Sequence, residues 1–262
     1  MVTIDHGACV GCGLCVRDCF EKNLVIEDGI ARVLGTCFEC GHCIAVCPKN
    51  ACAIDDMPTD GIRPVSAPLD SDALFGAICS RRSIRRYRER PVEREKIERL
   101  IEAARFTPTG SNAQDVEFVV VQESLEAVKP YIWQGVDAIA SKLIDAGTPG
   151  LYAYRWRDMA ARYRRDPKNK RDDLFFEAPL LLVLTGTDTS CALAAANIDL
   201  MASALGLGML YSGFIRRGIS NSPEAKSMLG LDADPAMCLL IGYPDVTYLR
   251  TVPRKKAHVL WK

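Results

Sequence analysis

CVGCGLCVRDC, Cys9 to Cys19, sets four cysteines at spacings of two, two and three intervening residues. Cys37, Cys40, Cys43 and Cys47 repeat that spacing 28 positions later, with Pro48 after the last. The duplication is an internal repeat with pseudo-two-fold character. Three thiols two residues apart suit a loop wrapped around one face of a polynuclear centre, and Gly11, Gly13 and Gly41 let that loop turn tightly.

Twelve cysteines in an exported chain would suggest disulfides, but nine of them fall within the first 52 residues. The opening MVTIDHGACV has no basic, apolar and small-residue export pattern. The clustering therefore favours metal or cluster ligation, and the expected compartment is a reducing cytoplasm. In bacterial runs of this kind the fourth cysteine ligates the other cluster. One [4Fe-4S] cluster is thus expected on Cys9, Cys12, Cys15 and Cys47, and a second on Cys37, Cys40, Cys43 and Cys19. Structural zinc also takes four thiolates, but its sites come as paired C-x-x-C knuckles, and a duplicated triplet with a distant fourth cysteine is uneconomical for it. Residues 1–56 resemble a bacterial two-cluster ferredoxin. Phe20 stands where such a ferredoxin has proline after Cys19, and Cys52 falls outside the ligand spacing and reads as a small buried residue. Val10, Leu14, Ile26, Phe38, Ile44 and Ile54 are expected to form a thin apolar shell around the sulfides.

The rest of the chain has a different character. Apolar residues make up 48% of the whole and charged residues 25%, which suits a globular protein. The 33 basic residues balance the 33 acidic ones, so no net charge draws the molecule to nucleic acid or to a membrane. The balance hides a split: residues 1–56 carry eight acidic and four basic side chains, leaving the remainder net basic. The longest apolar run, Cys191 to Leu210, contains Asn197 and Asp199 and reads as a buried helix rather than a membrane span.

Residues 57–72 (MPTDGIRPVSAPLDSD) read as a linker, which leaves 73–262 as the second domain. A helix capped by Ser71 or Asp70 is expected through Cys79, followed by an extended segment over Ser83 to Val92. Ile97, Leu100, Ile101 and Ala104 mark one face of an amphipathic helix over Glu93 to Phe106. Pro179 to Gly186 and Ala236 to Gly242 are apolar enough for central strands. Helices mixed with strands give an α+β domain. Two stretches carry chemistry. SRRSIRRYRERPV packs Arg81, Arg82, Ser83 and Arg85 together, and forked donors beside a hydroxyl suit a phosphate monoester. FTPTGSNAQDVEFVVV is a loop between helix and strand that exposes backbone N–H groups and small polar side chains.

In their order, these two stretches resemble the nitroreductase family of FMN enzymes. Three later features agree: an A-L-G-L-G run leading to Tyr211, Ser212, Gly213 and Phe214; LLIGYPD at Leu239 to Asp245; and TVPRKKAHVLW near the C-terminus. The resemblance covers roughly residues 71–262. It implies an α+β sandwich, an intertwined homodimer and FMN as cofactor. It further implies that Arg81, Arg82, Ser83 and Arg85 contact the FMN phosphate and ribityl chain, joined by Arg254 and Lys255 with Lys256 beside them. Pro108, Thr109, Gly110, Ser111, Asn112 and Gln114 would pack near the flavin, and Tyr211, Ser212 and Gly213 would lie at the isoalloxazine edge. Ser212 stands where members using NAD(P)H often carry an acidic residue.

Together the two resemblances imply an oxidoreductase in which two [4Fe-4S] clusters deliver electrons to FMN. The acceptor would be small, such as a nitroaromatic or a quinone, and the donor a ferredoxin or other low-potential carrier. A different reading is an electron-transfer module serving a protein partner, and a third is a flavin-modifying or dehalogenating enzyme on the same fold. No side chain is expected to act as catalytic acid or base, because the flavin performs the reduction. Lys129 to Asp173 contains Trp133, Tyr152, Tyr154, Trp156 and Tyr163, which either stack on a planar acceptor or pack this insertion's helices. The same region has a basic stretch, Arg155 to Arg171, read as a solvated face or a steering patch.

Overall fold

The computed structural model describes residues 1–262 except 56, 58, 60, 66, 67, 148–150 and 167–171. Four positions of the expected linker, and Lys168, Lys170 and Arg171 of the basic stretch, lie outside the described residues. The chain divides into two compact units, Met1–Pro68 with Thr109–Ala113, and Leu69–Pro108 with Gln114–Lys262.

The first unit begins and ends on one antiparallel pair, β1 (Val2–Ile4) against β4 (Cys52–Ile54), in the register Val2 to Ile54. Between them lie α1 (Leu14–Asp18), the hairpin of β2 (Leu24–Glu27) and β3 (Ile30–Val33), and α2 (His42–Val46). The sequence repeat is also a repeat of backbone. Both short helices start from a left-handed glycine, Gly13 at φ 70° and Gly41 at φ 75°, and both end on an extended cysteine, Cys19 and Cys47. The core is small: Val2, Leu24, Ala31 and Ile54 pack with Cys15, Cys43 and Cys52. So few apolar side chains give a unit of this size little stability of its own, and bound centres supply the rest. Of the expected shell, Ile54 is buried, whereas Val10 and Phe38 are exposed.

The second unit is built on a four-stranded antiparallel sheet in the order β5 (Glu117–Val121), β6 (Leu180–Thr185), β8 (Met237–Gly242), β7 (Gly208–Tyr211). Its central strands are buried on both faces, which is why they read as unbroken apolar runs. Leu180, Leu182, Leu184, Leu239 and Ile241 face a core shared with α4 (Arg94–Arg105) and α7 (Asp188–Ala204). Leu181, Val183, Cys238 and Leu240 face the opposite core, shared with α5 (Leu125–Asp145), α6 (Leu151–Arg165), α8 (Gly213–Ser220) and α9 (Pro223–Leu229). The result is a helix–sheet–helix sandwich. Helix α3 (Ser71–Ser80) is capped by Asp70, whose carboxylate accepts from the Ala73 amide. Among the described residues, no helix is long and apolar enough to cross a membrane.

One expectation is corrected. The apolar run from Cys191 to Leu210 is not one helix: α7 ends at Ala204, Gly206 turns the chain at φ 71°, and Gly208–Tyr211 form β7 against β8. Apolar content continues through the break because both elements are buried, so hydrophobicity alone does not mark it. Ser83 to Val92 is extended but forms no strand, touching the sheet through single bridges from Ser83 to Met209 and from Tyr87 to Pro244.

The insertion is a pair of packed helices, α5 and α6. Trp133 stacks on Tyr163 with centroids 5.3 Å apart, and Trp156 meets Phe214 edge-on at 5.3 Å. These three insertion aromatics pack the helices, while Tyr152 and Tyr154 remain exposed. Within the basic stretch, Arg162 pairs with Asp173 at 2.8 Å and Arg164 with Asp137 at 2.6 Å.

Candidate functional site

The first unit gathers its cysteines into two groups. One cavity is lined by Cys9, Cys12, Cys15 and Cys47, with Val10, Leu14 and Ile26 among its apolar walls. A second is lined by Cys19, Cys37, Cys40 and Cys43, with Leu24, Val33 and His42. Each cavity thus takes three cysteines from one half of the repeat and the fourth from the other. Four thiols lining each of two cavities, with the ligand sets crossed between the halves, fit the two cluster sites that the sequence predicts.

Backbone amides point at the sulfurs. Ala31 N donates to Cys9 Sγ at 3.4 Å, Asn23 N to Cys19 Sγ at 3.3 Å, Glu39 N to Cys37 Sγ at 3.3 Å and Ala51 N to Cys47 Sγ at 3.2 Å. Such donors stabilise charge on sulfur and are among the levers that set a cluster's potential. Burial pushes the Cys15 and Cys43 thiols up. Burial acts the same way on Cys47, but the Ala51 and Lys49 amides outweigh it and bring that thiol below its ordinary value. Cys52, expected only to fill space, lines the first cavity and hydrogen-bonds to Cys47.

The arginine-rich stretch leaves α3 and runs along the sheet margin. Ile84 and Tyr87 are its buried anchors. Ile84 N donates to the Met209 carbonyl at 3.0 Å, and Tyr87 Oη donates to the carbonyls of Ile84 and Leu240 at 3.1 and 3.2 Å. Close approach of this strap to β7 requires Gly208, where an added Cβ would stand 2.3 Å from Ile84 Cγ1. With Ile84 and Tyr87 turned inward, Arg81, Ser83 and Arg85 are left exposed.

Arg82 is held differently. Its Nη2 donates to the Cys79 carbonyl at 2.7 Å, while its Nε is buried with no hydrogen-bond partner. A buried guanidinium N–H without an acceptor is costly. A phosphate oxygen would satisfy it, so the donor set fits the cofactor that the resemblance implies. Arg81 Nη1 donates to Asp199 Oδ2 on α7. Asp199 is the residue that sequence reading passed over. The signal was present as a lone carboxylate inside an alanine-rich run, but its partner lies 118 positions away. Burial raises the Asp199 carboxyl above its ordinary value, against the pull of Arg81 and the nearby Tyr211 hydroxyl. Tyr211 Oη also lies 3.0 Å from the Ala195 carbonyl, and burial beside Asp199 pushes the phenol up to about 12.

Ser212 is buried and caps α8, accepting from Ile215 N at 3.3 Å, so its hydroxyl serves the helix that begins at Gly213. Pro108 and Gln114 belong to the second unit, whereas Thr109, Gly110, Ser111 and Asn112 group with the first. Ser111, Asn112 and Gln114 all hold left-handed backbone, with φ of 50°, 54° and 47°. Three such non-glycine residues in one short loop carry strain of the kind found at ligand clamps. Arg254, Lys255 and Lys256 are exposed in a C-terminal segment without regular structure.

Residues 78–243 match the nitroreductase family, and residues 1–48 match the 4Fe-4S dicluster domain. The chain belongs to the nitroreductase family. It is an FMN-dependent oxidoreductase joined to an iron–sulfur module. Solved structures share the fold at low identity. A Bacteroides fragilis nitroreductase with bound FMN is 18% identical, with TM-score 0.55 over 71% of this chain and 98% of that one. A Desulfitobacterium hafniense nitroreductase with bound FMN is 20% identical, with TM-score 0.51 over 71% and 98%. An iodotyrosine deiodinase bound to FMN and 3-iodo-L-tyrosine is 20% identical, with TM-score 0.51 over 72% and 98%.

Proposed function

We propose that this nitroreductase-family protein reduces a small acceptor, such as a nitroaromatic or a quinone, with electrons that two [4Fe-4S] clusters deliver to FMN. The observation that carries the reading is the grouping of eight thiols, four and four, in a chain whose other unit has the nitroreductase fold. Cys9, Cys12, Cys15 and Cys47 hold one cluster in this reading, and Cys37, Cys40, Cys43 and Cys19 the other. The cluster module spans residues 1–56, the linker 57–72 and the flavin domain 73–262.

Arg81, Arg82, Ser83 and Arg85 bind the FMN phosphate and ribityl chain, and Arg254 and Lys255 add charge to the same end. The loop from Pro108 to Gln114 packs near the ring system, and Tyr211, Ser212 and Gly213 line its edge. FMN, when bound, supplies the step between single-electron carriers and two-electron acceptors. The side chains therefore bind and orient; none acts as a proton donor. The assembly is an intertwined homodimer. Its support is the exposed C-terminal segment, in which Leu260 and a 92%-exposed Trp261 stand open to solvent although residues of this kind seek cover.

Anaerobic spectra of the reconstituted protein test the direction of flow. Flavin bleaching by reduced ferredoxin or a low-potential dye, and not by NADH or NADPH, is expected. Rapid bleaching by NAD(P)H would place electron entry at the flavin and turn the clusters into an outward path to a protein partner.

A further inference from the structure

We infer that Asp199 is a positioning residue for flavin binding, holding one side of the Arg81 guanidinium so that the rest of the fork faces the FMN phosphate. The inference rests on the reading of Arg81 as a phosphate contact.

Asp199 sits in the middle of α7 among Cys191, Ala194, Ala195, Ile198 and Ala202, all fully buried, and its own side chain is only 8% exposed. A carboxylate in such a place persists only when it is paired. Its partner enters from outside the helix: Arg81 is the first residue after α3, and its side chain is 40% exposed. The pair is therefore lopsided, with the anion inside and the cation reaching from it toward solvent. Guanidinium has five N–H donors in a rigid plane, and only the Nη1 edge is used by Asp199. The remaining donors stay available for a second anion, and the following residue, Arg82, has a buried Nε with no acceptor at all.

A free arginine would have to give up most of its rotamer freedom on binding phosphate. One already fixed by a buried carboxylate has lost that freedom on folding, so less is lost when the ligand arrives. Tyr211 supports the arrangement, since its hydroxyl approaches both Asp199 and the Ala195 carbonyl one helical turn away. Nothing in the pairing requires a cofactor contact by Asp199 itself, which acts through Arg81.

Flavin-stripped full-length protein, titrated with FMN and with riboflavin, separates this role from simple packing, because the two ligands differ only in the phosphate. Asp199→Asn keeps the shape and one acceptor oxygen but removes the charge. It should weaken FMN about tenfold, the low end for groups that orient a direct ligand, and leave riboflavin unchanged. Arg81→Ala should lower the FMN-to-riboflavin preference further, and adding Asp199→Asn to it should lower the preference no more. Equal weakening of both flavins by Asp199→Asn would reduce Asp199 to a packing residue and overturn the inference. So would unchanged or tighter FMN binding. If Arg81→Ala lowers the preference and Asp199→Asn does not, the inference fails while the phosphate reading stands. If Arg81→Ala leaves the preference untouched, the phosphate reading fails and takes the inference with it.

Discussion

Gly208→Ala should damage both stability and flavin retention, against the usual direction for glycine in a strand. Elsewhere in a strand the change would be neutral or favourable, because alanine loses less backbone freedom on folding. Here the new methyl would stand 2.3 Å from Ile84 Cγ1, 2.9 Å from Pro244 Cγ and 3.1 Å from Ile84 Cβ. Ordinary carbon contacts lie at about 3.5–4.0 Å, so the strap or β7 must give by about 1 Å or more. Overpacking of this kind costs about 1–3 kcal/mol. A shift of that size also stretches the 3.0 Å bond from Ile84 N to the Met209 carbonyl beyond useful range, adding about 1 kcal/mol. A loss of about 2–4 kcal/mol lowers the midpoint of a unit this large by roughly 5–10 °C. Thermal melting followed by flavin fluorescence would read the midpoint and the release of FMN together. Ile84→Ala removes the nearest obstructing atom, Cγ1, and leaves the milder contacts with Pro244 Cγ and the residue 84 Cβ, so Gly208→Ala should cost less in that background. A single variant that melts within a degree of the parent and keeps its flavin would refute the argument that Gly208 sets the strap's position.

Other expectations follow from the same geometry. Cys47→Ser should leave about four iron per chain in place of about eight, with one cluster's paramagnetic signal lost and the other retained; unchanged iron would contradict the crossed ligand sets. Replacing Arg81 and Ser83 together by alanine should release FMN from the purified protein, and full retention would remove both from the phosphate site. The Glu93 carboxyl is held down at about 2 by its hydrogen bond from Tyr243, with Arg90 helping. A carboxylate lowered on folding stabilises fully above its unfolded value, near 4.5, and that contribution is lost as pH falls toward 2. Glu93→Gln should therefore narrow the gap to the parent across that window, and parallel acid-unfolding curves would show that the contact is idle. Sedimentation should report twice the chain mass, and a monomer at every concentration would end the homodimer reading.

Much of this was legible in the residues. β6 and β8 stood out because strands covered on both faces need apolar side chains at every position, as Leu180 to Leu184 show. Helix α4 stood out because only one of its faces is covered, so Ile97, Leu100 and Ala104 recur at helical spacing. The repeated spacing marked the eight cysteines, and the crossed grouping followed from the way bacterial runs of this kind share their fourth cysteine between clusters. What escaped was set by distance or by burial common to unlike elements. The end of α7 was hidden because Leu205, Leu207 and Met209 are apolar on both sides of the turn, and only Gly206 marked it. Asp199 was visible as an oddity, but no local pattern connects it to Arg81 across 118 positions. The capping of α8 by Ser212 also escaped, because it depends on a backbone geometry that sequence neighbours do not reveal.

The crossing of the two cysteine sets has a further consequence. Half of the repeat, alone, offers three thiols on one loop and a fourth that points out of its own cavity. A chain with one such half could complete a cage only by meeting a second copy of itself. Joined in tandem, the halves meet at an effective concentration that no separate copies reach. Each half then contributes to both cages, three thiols to its own and one to its neighbour's, so the two loops are tied together through their centres, while loss of a single thiol leaves the other cage its full four.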